Sequence, residues 1–152
     1  MIKIDVISDY GLWSKKIKRK KFFFNSIIKL FPKKYKFINK RMSLTVLLSN
    51  NKNIKKLNKK FRNKNKPTDI LSFPFFEKKN IKKIPKDKKF YLGDIAISYE
   101  EFSKKNKKNY LDGFIKIIIH GFLHLLNFDH KSNRDYKIMS SIESKIFNKV
   151  KV

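Results

Sequence analysis

The sequence predicts one domain of mixed helix and strand, α+β or α/β, built on a single sheet of about four strands. Three observations carry this. At 152 residues with 41% hydrophobic content the chain is long enough to bury a core. Segments with strand-like alternation are interleaved with segments whose apolar residues recur at helical spacing. No internal repeat, linker or change of composition divides it, so residues 1–152 read as a single domain.

Residues 1–8 alternate, with Ile2, Ile4 and Val6 on one face, and read as a strand. Asp9 is a suitable N-cap for the helical segment after it. From Trp13 to Phe31 the apolar positions Trp13, Ile17, Phe24, Ile28 and Phe31 predict one helix, stopped by Pro32. Its lysine-rich side reads as a solvated face. Ser43–Ser49 is the strongest strand, from its β-branched and apolar content. Asn50 or Asn51 caps a helix running through Phe61, with Ile54, Leu57 and Phe61 on one side.

Residues 64–68 form a loop and 70–73 a short strand, whose end Pro74 keeps out of central pairing. Residues 77–89 are a lysine-rich exposed loop, and Tyr91–Ser98 is a fourth strand. Residues 99–106 form a short helix. Leu111–Leu126 is an apolar helix of 16 residues, too short to cross a bilayer and therefore the central buried helix. Ile138, Ile142 and Ile146 mark the inner face of a last helix, 134–150, where Met139 is also a core residue.

Composition bounds the function. With no cysteine there are neither disulfides nor thiolate metal ligands, which suits a reducing compartment. No apolar run approaches the roughly 20 residues of a membrane span, and the N-terminus lacks a signal peptide's apolar block. A soluble cytoplasmic protein with no membrane partner is expected. The formal net charge is +27. Lys, Asn, Ile and Phe supply 84 of the 152 residues, so part of that charge reflects codon usage in an A- and T-rich genome. The field still draws polyanions, and nucleic acid is the favoured partner class.

All three histidines lie within His120-Gly-Phe-Leu-His-Leu-Leu-Asn-Phe-Asp-His130. His120 and His124, four residues apart, share a helix face. Asn127 is the place for a left-handed reversal that brings His130 back. Three imidazoles around one point leave a fourth position open, as in a catalytic zinc site, although nickel or copper would also be accepted. The spacing is that of the metzincin proteases, but Gly121 stands where their general-base Glu belongs. A peptidase is therefore disfavoured. Asp129 either orients an imidazole or caps the turn, and Asp94 and Thr68 read as structural hydrogen-bonding residues. Lys64 and Lys66 suit a phosphate-binding rim. Phe73, Phe75 and Phe76 are candidates to stack bases, with Phe73 better read as core. No remaining Glu or His near the motif is available as a general base.

Three blocks then resemble the YbeY family of bacterial endoribonucleases and rRNA maturation factors. They are Leu57-Asn58-x-x-Phe61-Arg62 running into Lys66-Pro67-Thr68-Asp69-Ile70-Leu71-Ser72-Phe73-Pro74, then Leu92-Gly93-Asp94-Ile95-Ala96-Ile97-Ser98, and the histidine motif. The chain departs from the family pattern at Asn127, where glycine is usual, and at Phe128, where tyrosine is common. The resemblance implies a mixed sheet flanked by helices, hence α+β, with a zincin-like site on the central helix. It implies one zinc held by His120, His124 and His130, a functional role for Arg62, and action on the small-subunit ribosomal RNA precursor. A ribosomal protein or an assembly GTPase is a possible further partner, and a non-catalytic assembly factor with a structural zinc is the alternative. Arg62 offers a phosphate the planar two-point contact that lysine lacks, and three neutral imidazoles leave the full metal charge to polarise a phosphoryl oxygen.

Overall fold

A computed structural model describes residues 2–31, 41–76 and 88–151. Strand β1, Ile2–Ser8, lies parallel to β2, Arg41–Ser49, with Ile4 opposite Leu44. Strand β4, Lys89–Ser98, is parallel to β2 on its other side, and β3, Ile70–Pro74, runs antiparallel to β4 at the edge. The order β1-β2-β4-β3 makes a four-stranded mixed sheet, and the protein is one α+β domain. Pro74 is tolerated because β3 is an edge strand. At the opposite edge, the Asn25 side chain accepts from Ile4 N and donates to Ile4 O, which occupies backbone groups that an edge would otherwise offer to another chain.

Six helices occur among the described residues. The helix expected over Trp13–Phe31 is in fact two, α1 (Trp13–Lys16) and α2 (Lys20–Lys29), with Ile17 extended between them. The reason is visible in the chain. The apolar stripe lapses at Lys20 and Lys21, and the break lets both Trp13 and Ile17 turn into the core. Trp13 is fully buried and its indole N–H donates to Ser49 O at 2.8 Å. Asp9 does not cap that segment, whose N-cap is Leu12; its carboxylate accepts from the Asn53 side chain instead.

Helix α3, Asn51–Arg62, is capped by Asn50, whose side chain accepts from Asn53 N at 3.0 Å. It ends at Asn63 in the left-handed conformation. Ile54 is buried on a small second core with Leu71 and Ala96, on the sheet face opposite the main core. Phe61 is largely exposed rather than aligned with Ile54, and packs edge-on against the Phe73 ring. Pro32 lies outside the described residues, as does 77–87 of the expected loop. Lys89, assigned to that loop from sequence, is the first residue of β4. Helix α4 is Tyr99–Lys105, α5 Tyr110–Leu125 and α6 Asn133–Lys151.

The main core lies between one sheet face and α2, α5 and α6. From α5, Phe114, Ile115, Ile117, Ile118, Ile119, Phe122, Leu123 and Leu125 are buried. At about 1.5–3 kcal/mol for each fully buried apolar side chain, this helix is the largest single contributor to the core. Lys116, His120 and His124 recur every four residues along its polar stripe. On α6 the inner face is Met139, Ile146 and Val150, with Ile142 half-buried; Ile138, expected inside, is exposed. No helix among the described residues is long and apolar enough to cross a membrane.

Candidate metal centre

The centre is built by the end of α5. Asn127 sits at φ 66°, as the motif required, and the turn is a Schellman cap: Phe128 N donates to Leu123 O and Asn127 N to His124 O. The reversal carries His130 back toward the helix face. One potential ligand atom from each of His120, His124 and His130 lies within 4.8 Å of the others.

Hydrogen bonds fix two of the rings. His124 Nδ1 is 2.9 Å from Phe128 O, a carbonyl that can only accept, so this nitrogen carries the proton. His120 Nδ1 is 2.9 Å from Glu143 Oε1, again an acceptor when ionised. Both Nε2 atoms are thereby left as bare lone pairs, and they face each other at 3.1 Å. Two lone pairs so placed repel unless a cation lies between them. The separation is close to the roughly 3.3 Å edge of a tetrahedron with Zn–N bonds of about 2.0–2.1 Å. Burial lowers the pKa of His124, and the neighbouring His120 and His130 lower it further, against the bond to Phe128 O and the Asp129 charge. The neutral form that binds metal is thus favoured. The donor set fits one divalent ion.

These histidines open on a cleft of about 450 Å³ that also takes in Arg62, Asp69, Asn127 and Lys131. Arg62, the last residue of α3, thus shares the cleft with the three imidazoles although 58 residues separate it from His120. Lys64 and Lys66 do not line the cleft; Lys131 does. Asn58 donates to Lys66 O at 2.8 Å and Asp69 O accepts from Ser98 N, which pin the loop between Arg62 and β3 to its neighbours. Asp69 also accepts from its own following N–H and pairs with Lys105 at 3.2 Å. Thr68 donates to Asp69 and also lines the cleft, while Asp94 accepts from Tyr91. Asp129 accepts from His130 N at 2.7 Å and makes no bond to an imidazole, so it caps the turn. Phe73 packs on the second core, Phe76 on the main one, and Phe75 is exposed.

Two glycines explain motif positions that carry no chemistry. A side chain at Gly121 would press on Ile95 and Ile70 at 2.9 and 3.0 Å, so this position faces the sheet and not the cleft. Gly93, at φ +139°, has the backbone oxygen of Phe73 where a Cβ would stand, and only glycine fits. Sequence reasoning missed Glu143. No Glu adjoins the histidines along the chain, yet α6 delivers this one to His120 Nδ1, outside the lining of the cleft where a general base would act. The available signal was a carboxylate at the border of α6's apolar stripe, four residues after Met139.

Fold and site together define an α+β protein whose mixed sheet carries, at the end of its buried helix, a three-histidine cluster able to hold a metal ion. The description "Endoribonuclease YbeY" belongs to the family whose sequence model matches residues 12–151. "Endoribonuclease YbeY" of Pelagibacter ubique is 60% identical, over 99% of this chain and 97% of its own length. That of Ehrlichia canis is 35% identical, over 99% and 93%. A Thermotoga maritima protein of known solution structure superposes with a TM-score of 0.56 at 28% identity, covering 99% of this chain and 89% of its own. The chain belongs to the YbeY endoribonuclease family, whose members are hydrolases acting on RNA.

Proposed function

We propose that this protein is a zinc-dependent endoribonuclease that cuts single-stranded segments of the ribosomal RNA precursor, at the 3′ end of the small-subunit (16S) RNA. The observation that supports it best is the pair of bare Nε2 atoms facing each other at 3.1 Å beside Arg62 in one cleft. A family of RNA hydrolases and a strongly cationic chain agree with it. Zinc, held by His120, His124 and His130, would supply a Lewis acid for the phosphoryl oxygens. The chain's own residues do the rest. The proton held on Nδ1 of His120 and of His124 keeps both rings aimed at one point. Arg62 makes two parallel N–H contacts to the scissile phosphate and stabilises the charge that gathers on it. Lys131, on the same cleft, adds a second cation on the path of the RNA backbone. Small-subunit precursor particles, with a ribosomal protein or an assembly GTPase as recruiter, are the proposed context.

The test is metal content and RNA cleavage on matched preparations of wild type, Arg62→Ala and His124→Ala. One zinc per chain in wild type and Arg62→Ala, with cutting by wild type alone, is the expected result. Zinc in both with no cutting by either would replace this reading with an assembly factor whose metal is structural.

A further inference from the structure

Glu143 stands behind the metal centre, not in it. It lies on α6, twenty-three residues from His120 in sequence, with Oε1 2.9 Å from His120 Nδ1. It does not line the cleft that holds Arg62; it borders an adjoining groove, which shares Asp69, Ile70 and His120 with that cleft and adds Lys105, Asn106 and Lys116, and a small cavity between α5 and α6. Its side chain is one-third exposed, and its carboxylate meets His120 on Nδ1, the ring nitrogen opposite the one that faces His124.

We propose that Glu143 is the positioning residue of the metal centre: its carboxylate holds the proton of His120 on Nδ1, presents Nε2 to the ion, and so sets the metal affinity. This rests on the reading that the three histidines hold a metal. The rings are held by unequal partners. His124 is fixed by a backbone carbonyl of its own turn, which no side-chain substitution removes. His120 depends on a side chain from another helix. An ionised acceptor also makes the imidazole a stronger donor to a cation than a carbonyl does, and such partners are worth about 10–100-fold in metal affinity. Because α6 packs on α5 and carries Glu143, the seating of the last helix bears on how His120 is held.

The experiment compares wild type, Glu143→Gln, Glu143→Ala and the surface control Lys145→Ala, all as the full chain. Zinc affinity is read by competition with a chromophoric chelator. The tautomer of His120 in metal-free protein is read from long-range proton–nitrogen NMR spectra. Glu143→Ala should weaken zinc binding by about 10–100-fold and move His120 toward the Nε2–H form. Glu143→Gln keeps an acceptor and should fall between Ala and wild type, while Lys145→Ala stays at wild type. Wild-type affinity and an unchanged tautomer in Glu143→Ala would overturn the proposal. If wild type itself binds no zinc, the metal reading fails, and the tautomer shift still decides whether Glu143 positions His120.

Discussion

Asn127 shows how much one side chain does at this site. Its left-handed backbone makes the reversal that the histidine spacing demands, and its side chain donates to Phe76 O at 2.6 Å, tying the metal turn to the segment after β3. Asn127→Gly keeps the conformation and loses the bond. It should cost about 1 kcal/mol of metal-free stability in urea unfolding, while Asn127→Val, strained at this φ, should cost more. His124 makes a second prediction. Its folded pKa is below the ordinary value near 6.5, so the unfolded chain takes the proton first as pH falls. The stability contribution is full above about pH 6.5 and is lost as pH drops through the folded pKa. Metal-free protein should therefore unfold at lower denaturant at about pH 5.5 than at about pH 7.5. Part of that difference should vanish in His124→Gln.

Among the elements, the pairing of β3 and β4 with α5 decides which motif glycines are essential. Gly93→Ala would place a methyl against the backbone oxygen of Phe73, which has no rotamer to escape into. A loss of roughly 2 kcal/mol or more is expected, seen as a fall of several degrees in Tm. Gly121→Ala meets only the ends of two isoleucine side chains and should cost less. Gly121→Glu, the change that would restore the peptidase motif, buries a carboxylate against the sheet. It should yield unfolded protein and no peptidase activity. The break between α1 and α2 is an effect of the same scale. The apolar positions on either side still match helical spacing across the lapse at Lys20 and Lys21, so the stripe marks where the break falls without showing that the helix stops there.

For the protein as a body, the charge matters more than any one lysine. RNA affinity should fall with salt, log K against log salt having a slope of about −0.7 per contacted phosphate on single strands. A fluorescence titration from low to moderate salt measures it, and a flat response would exclude the basic surface as the binding element. Arg62→Ala should lower that slope by about one contact while leaving the fold intact, since Arg62 is exposed at the end of α3.

The four strands, the capped helix over Asn51–Arg62, the buried helix α5, and the trio of histidines with its turn at Asn127 are legible in the order of residues alone. These are local properties: periodicity, a cap, a left-handed residue and a fixed spacing are all written within a few neighbouring positions. What meets across the chain is set by the folded arrangement. It brought Arg62 to the histidines, put Asp129 on its own turn, sent Gly121 into the sheet and delivered Glu143 to His120. Those contacts depend on how α3 and α6 are seated on the sheet and on α5. Seating follows from the summed packing of many apolar side chains, and no spacing in the sequence records it.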